Sequence, residues 1–271
     1  MKCKDIIKLL QEIAPEEIAA SWDNVGLLVG RKDKSISKVL VTLDITDEVI
    51  EQALKEQVDM IVSHHPLIFQ GVKKITTDDF MGKRLFKLLS NDICCYAMHT
   101  NFDAAENGMG EIAAKKLNLI NTRYIKEEAS YINKNGEQVV VGCGRIGELD
   151  EPISLDELCK KIKKQFPTDS LNVYGASNMN NYMVSKIAIC PGSGKSYIKD
   201  ILKENVDVYI TGDISHHEGL DASDQGLIII DASHFGIENI FVEYVEQYLN
   251  QELSAGIEVI ASESKAPYII V

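Results

Sequence analysis

The stretch KVLVTLDITDEVIEQALKEQVDMIVSHHP, residues 38–66, decides the fold. Its periodicity predicts a strand near Val39 to Ile45, a helix near Thr46 to Gln57 and a strand near Met60 to Ser63 that runs into His64 and His65. A helix near Lys4 to Glu12 precedes it, and a helix near Gly82 to Ser90 and a strand near Ile93 to Met98 follow. The order βαβαβ predicts an α/β fold, in which a mostly parallel sheet carries helices on both faces and ligands collect at the carboxyl ends of the strands.

Further along, the polar segment from Ile125 to Gln138, with Asn133-Lys134-Asn135-Gly136, reads as a connection into a second α/β unit. A helix over Leu155 to Gln165 and strands near Lys186 to Cys190 and Asp207 to Thr211 fill that unit. A last strand, Leu227 to Ile230, precedes a helix from Gly236 to Leu249, and Ile257 to Ile260 adds an edge strand. The expected organisation is two α/β lobes with mostly parallel sheets flanked by helices. The first is discontinuous, residues 1–125 and 227–271, and the second spans 126–226. The runs Asp59 to His65 and Asp207 to His217 look alike, which hints at related halves.

All six histidines fall in four short stretches, each with a carboxylate or a second histidine: Ser63-His64-His65-Pro66, His99-Thr100-Asn101-Phe102-Asp103, Ser215-His216-His217-Glu218 and His234-Phe235-Gly236-Ile237-Glu238. Imidazoles grouped with Asp and Glu at loop positions are what a borderline divalent metal requires. Successive strand side chains point to opposite faces, so His64 and His65 are expected to serve two ions rather than one. Asp103 can bridge two cations or cap a helix. His99 suits an acid/base or supporting role as well as ligation. His234 and Glu238 stand four apart at a helix start, so one face can present both. His216 and His217, with Asp213, Glu218 and Asp221, can line a cavity, bind substrate or sit on a solvated loop. Trp22 reads as a structural anchor, and Asp44 as a group supporting a ligand.

Composition narrows the class. The chain has 271 residues, 45% of them hydrophobic, which is enough for a substantial core. A formal net charge of -13 argues against a constitutive nucleic-acid binder. The six cysteines form no CxxC pair, so reduced thiols that ligate no metal are expected. No apolar run reaches about 18 residues and Met1-Lys2-Cys3-Lys4-Asp5 is not signal-like, so a cytoplasmic protein without a membrane partner is expected. Gly192-Ser193-Gly194-Lys195-Ser196 resembles the end of a phosphate-binding loop, but Ile189 stands where that loop needs glycine. Its amides remain available in principle to an anion.

Taken as a set, Ser21-Trp22-Asp23-Asn24-Val25-Gly26-Leu27-Leu28-Val29-Gly30, His64-His65-Pro66-Leu67-Ile68-Phe69, His99 to Ala105, Gly192-Ser193-Gly194, Thr211-Gly212-Asp213 and His234 with Glu238 resemble the NIF-three-like dinuclear-metal family, homologues of GTP cyclohydrolase I type 2. The likeness runs through nearly the whole chain in order. It implies a dimetal site in the cleft between two α/β lobes, and a toroidal homohexamer. It also implies that His64, His65, Asp103, His234 and Glu238 hold two divalent ions, with Asp103 and Glu238 as bridges. Zinc, manganese, iron and cobalt all suit such donors. The chain looks like the short form of the family, without the domain that some members carry in mid-chain. Phe235-Gly236-Ile237 departs only mildly from the terminal motif.

Two ions about 3.5 to 4 Å apart activate water and polarise an electrophile, so hydrolysis is the expected reaction class. The family resemblance implies opening of the guanine ring of GTP at C8, with loss of formate, to give dihydroneopterin triphosphate. His99 or His217 would then donate the proton. Two other readings stay open: a metal-binding regulatory or scaffold protein without turnover, and a metal-dependent nucleotide phosphoesterase.

Overall fold

The computed structural model describes residues 1–133, 135–176, 181–253 and 256–270. In chain order its first elements are α1 (Cys3–Ile13), β1 (Gly26–Val29), β2 (Lys38–Thr42), α2 (Asp47–Lys55), β3 (Met60–Ser63), α3 (Phe80–Ser90) and β4 (Cys94–Ala97). Next come α4 (Thr100–Ala104), α5 (Met109–Lys116), β5 (Ile120–Arg123), β6 (Lys126–Ile132), β7 (Gln138–Cys143), β8 (Arg145–Ser154), α6 (Leu155–Gln165) and β9 (Asn172–Tyr174). The last are β10 (Met183–Ser193), α7 (Ile198–Ile201), β11 (Val208–Gly212), α8 (His216–Asp224), β12 (Ile228–Asp231), α9 (His234–Glu238), α10 (Ile240–Glu252) and β13 (Glu258–Ala261).

The first compact unit comprises residues 1–102 and 241–265. Its sheet runs β1-β4-β3-β2-β13, parallel throughout except at the edge strand β1. The central strands are apolar on both faces, and Leu40, Val41, Ile61, Val62 and Tyr96 are fully buried, as a parallel sheet covered on both sides demands. α2 begins where the Thr46 side chain accepts from the Val49 amide, and it buries Val49, Ile50 and Ala53. Register decides where chemistry collects. Thr42 lies opposite Ser63, and Ser63 opposite Ala97. Two residues further along each strand come Asp44, His65 and His99, so the three side chains emerge at one carboxyl edge.

The second unit comprises residues 103–240 and 266–271. Its sheet runs β5-β8-β10-β11-β12-β9 and is mixed: β10, β11 and β12 are parallel, whereas β5, β8 and β9 join antiparallel. Those outer strands carry polar residues and lack the apolar runs that mark a parallel core, which is why periodicity does not show them. Residues 103–125 and 227–240, read from the sequence as part of the first lobe, lie in this unit, because β5 pairs with β8 and β12 with β11. The polar segment expected to be a connection is instead a hairpin of β6 and β7. Both faces of β6 are largely solvated, so its polar composition is compatible with a strand.

The expected helix from Gly236 to Leu249 is two helices, α9 and α10, with Asn239 between them. Ser233 caps α9 through the Gly236 amide and so starts that helix at His234. The likeness between the runs at Asp59 and Asp207 stops at the histidines. His64 follows β3 directly, whereas His216 opens α8, four residues after β11 ends. All six cysteines are free and buried. Among the described residues no helix is long and apolar enough to cross a membrane.

Candidate metal centre

In the first unit, His64, His65 and His99 offer ligand atoms that all lie within 4.8 Å of one another. Each ring is fixed through Nδ1. His64 Nδ1 lies 2.8 Å from the Met98 carbonyl oxygen, and His65 Nδ1 lies 2.8 Å from Asp44 Oδ1. His99 Nδ1 faces both oxygens of Asp23 at 2.9 and 3.0 Å. A carbonyl or carboxylate oxygen can only accept, so each Nδ1 carries the hydrogen and the neutral ring presents its lone pair at Nε2. Fixing tautomer and ring orientation in this way is how metal-ligating histidines are prepared. His64 and His65 do meet. Both lie past the end of β3, where strand alternation no longer separates them, and their ring centroids are 4.9 Å apart.

Asp23 is the supporting residue that sequence reasoning missed. Its side chain has no exposed surface, and it also accepts from the Thr100 amide at 3.0 Å and the Thr100 hydroxyl at 2.6 Å. Burial opposes its ionisation, but the hydrogen bonds from His99 and Thr100 outweigh that and hold its carboxyl below the usual carboxylate range. The one signal for it is its place in the Trp22-Asp23-Asn24 run. Trp22 itself is 62% exposed, so it does not anchor the core. Asp44 takes the supporting place expected of it, on His65.

In the second unit, His234 sits between two carboxylates. Its Nε2 is 2.8 Å from Glu238 Oε2, and its Nδ1 is 2.7 Å from Asp213 Oδ2. Asp103, inside α4 rather than at a cap, presents an oxygen within 4.8 Å of a Glu238 oxygen. The parallel register brings these parts together: Ser193 faces Gly212 and Thr211 faces Asp231, so three strand ends converge under α9. Two glycines are required here. A Cβ on Gly192, where φ is +73°, would stand 2.1 Å from Glu238 Oε1, and one on Gly212 would stand 2.6 Å from the His234 amide nitrogen. Asp213 and Ser233 hold φ of 57° and 60°. Such conformations cost roughly 1–3 kcal/mol each and persist where the surroundings impose them.

In the Gly192 to Ser196 segment both backbone groups of Gly194 are already engaged within the protein. The Gly194 amide donates to the Thr211 hydroxyl at 2.9 Å, and the Gly194 carbonyl accepts from the Tyr209 hydroxyl at 2.8 Å. His216 and His217 are exposed on the first turn of α8, where Ser215 and Glu218 form a capping box. Among the described residues they belong to no group of three metal-donor side chains.

The donor chemistry fits divalent ions: three oriented imidazoles in one unit, and an imidazole with two carboxylates in the other. The Cys143 and Cys190 thiols do not compete. Burial, with Asp103 adding to it, pushes the Cys143 and Cys190 thiols up, so both stay protonated.

Residues 1–267 match the family described as Duf34/NIF3 (NGG1p interacting factor 3). A Clostridium perfringens protein named GTP cyclohydrolase 1 type 2 homolog is 34% identical over 269 residues, covering 99% of each chain. A Streptococcus pneumoniae protein of the same name is 35% identical over 253 residues, 93% of this chain and 91% of that one. A solved Bacillus cereus protein related to NIF3 superposes with a TM-score of 0.89 at 24% identity, covering 100% of this chain and 99% of that one, which shows the shared fold.

Proposed function

Since this chain belongs to the Duf34/NIF3 family, we propose that it is a dinuclear-metal-dependent hydrolase, with GTP cyclohydrolase I type 2 chemistry as its best-named form. The reaction would convert GTP to dihydroneopterin triphosphate and formate. The observation that carries this reading is the trio His64, His65 and His99, each held through Nδ1 so that Nε2 keeps its lone pair. We assign His64, His65, Asp103, His234 and Glu238 as the ligands of two divalent ions, zinc, manganese, iron or cobalt. Bound there, such ions would supply Lewis acidity and lower the pKa of water from 15.7 to about 7.

The remaining work falls to the chain itself. His99 is the first candidate for proton donor, its ring held from Nδ1 by the buried Asp23. His217, exposed at the start of α8, is the second candidate for proton transfer. Asp44 holds His65 in place while Asp213 does the same for His234. We further propose that the protein is a cytoplasmic homohexamer.

The test is turnover of GTP by protein reconstituted with each of the four metals, following formate and fluorescent pterin. Asp103→Ala and Glu238→Ala serve as controls. Product that requires metal and disappears in both variants supports the reading. Inorganic phosphate in place of formate would mark a phosphoesterase, and bound metal without product would mark a regulatory or scaffold role.

A further inference from the structure

Two of the buried thiols in the first unit face each other. Cys3 opens α1, and Cys94 opens β4 at the end of that strand away from His99. Both lean on one loop, residues 30–34. The Cys3 amide donates to the Lys34 carbonyl at 2.8 Å, and the Cys94 sulfur lies 3.7 Å from the Arg31 carbonyl oxygen. Gly30 leaves the room that this sulfur occupies: a Cβ there would stand 2.6 Å from Cys94 Sγ.

The surroundings make the two thiols chemically unequal. Each is the foremost influence on the other's proton. Cys94 is drawn below the ordinary thiol range, first by its contact with the Cys3 thiol and further by the Lys34 ammonium, although burial opposes this. Cys3 is pushed up by the same contact. Lys34 is itself buried, its Nζ donating to the carbonyl oxygens of Asp59 and Asp92. A thiol that ionises readily beside a cation, with a protonated thiol against it, is the make-up of a nucleophile and its resolving partner. Cys95, the next residue, differs: burial pushes its thiol up, so it stays protonated.

We propose that Cys3 and Cys94 form a dithiol that hydroperoxides oxidise to a disulfide, a modification site that does not depend on the hydrolase reading. The Cys94 sulfur attacks one peroxide oxygen, and an S–O bond forms as the O–O bond breaks. The departing oxygen takes up a proton and leaves as an alcohol, or as water when the oxidant is hydrogen peroxide. The Cys3 thiol then gives up its proton while its sulfur displaces hydroxide from the Cys94 sulfenic acid; proton and hydroxide leave as water and the S–S bond closes. The two thiols together lose two electrons and the hydroperoxide gains them. Access limits the rate, because both cysteines are fully buried. The cover over Cys3 includes the hydrogen bond from Lys2 Nζ to Ser35 Oγ, which lies in solvent. Local opening of such a segment costs less than global unfolding, so a small oxidant enters slowly where a bulky aromatic reagent is kept out.

The experiment treats the reduced full-length protein with a modest excess of hydrogen peroxide, removes the excess with catalase and counts thiols in denaturant. The count is expected to fall from six to four and to return to six with dithiothreitol. Peptide mapping without reductant should join Cys3 to Cys94 within one chain. Cys94→Ser is expected to abolish the loss. Cys3→Ser should replace the disulfide by a Cys94 sulfenic acid that dimedone traps, whereas Cys95→Ser should still lose two thiols. Circular dichroism verifies that each variant is folded, and the mapping of the parent protein stands without any variant.

A count that stays at six overturns the proposal. So does a disulfide that joins any other pair or two separate chains, or a two-thiol loss that survives in Cys94→Ser. A Cys94 sulfenic acid that accumulates in the parent without linkage to Cys3 also overturns it, because Cys3 then fails to resolve the oxidised sulfur.

Discussion

Both oxygens of the Asp23 carboxylate face His99 Nδ1, at 2.9 and 3.0 Å, although 76 residues separate the two in sequence. The carboxylate has no exposed surface, so its charge is stabilised almost wholly by the four hydrogen-bond contacts from His99 and Thr100 and the one from the Asn24 amide. Orienting an imidazole from behind in this way selects one tautomer and one ring position.

Replacing Asp23 therefore tests both stability and chemistry. Asp23→Asn is expected to cost about 1–3 kcal/mol at neutral pH, the range for a buried group left imperfectly paired. The folded pKa lies below the unfolded value of about 3.9, so the carboxylate's contribution is complete above that value and is lost as pH falls below it. Urea melts from pH 7 down to pH 3 should show the gap between parent and variant constant at first and closing below about pH 4. A gap that widened on acidification would contradict the assignment.

Metal binding should stabilise the fold in a pH-dependent way. A divalent ion at about 100 times its dissociation constant adds about 2.7 kcal/mol to the folded state. Protons compete with metal for the ligand atoms, so the rise in Tm on adding zinc or manganese should be larger at pH 7.5 than in acidic buffer. His64→Ala and Glu238→Ala should each abolish most of that rise. Scanning calorimetry with and without metal reads the result directly.

Gly192→Ala should damage the second unit out of proportion to the one methyl it adds. The new Cβ would meet Glu238 Oε1 at 2.1 Å on a backbone with φ of +73°. A loss of about 1–3 kcal/mol is expected from the strained backbone alone. Displacement of Glu238 should also lower metal content, measured by elemental analysis. Gly136→Ala is the comparison: it too has positive φ, +80°, but among the described residues nothing lies within 4 Å of its added Cβ, so metal content should be unchanged.

Thiol titration checks the packing. All six cysteines are buried and free, so an aromatic disulfide reagent should react with almost none of them in the native protein and with all six in denaturant. Fast reaction of several thiols under native conditions would mean that the cores around Cys3, Cys94 and Cys190 are open.

Light scattering tests the assembly. A homohexamer should elute with a mass about six times the 30.1 kDa of one chain, and a monomer at 30.1 kDa would remove the hexamer from the proposal.

Some of this was written plainly along the chain. The strands around Val39, Met60 and Cys94 could be read because strands buried on both faces must be apolar over their whole length, and that composition is visible locally. The helix over Leu155–Gln165 was equally open, with its Ser154 cap and Glu157 completing a capping box. The donor types of the candidate metal residues are properties of side chains, so they too needed no structure.

Three-dimensional register decided the rest. Asp23 could not be matched to His99 from the sequence, because only the fold brings that turn against the end of β4. The sequence argued that His64 and His65 would diverge, and the early end of β3 overrides that alternation. Strand β12, placed by pattern beside the first lobe, belongs with β11, a choice made by hydrogen bonds between strands that no local composition records. Local chemistry named the candidate donors in this protein, and non-local pairing, which depends on the whole chain having folded, decided which of them stand together.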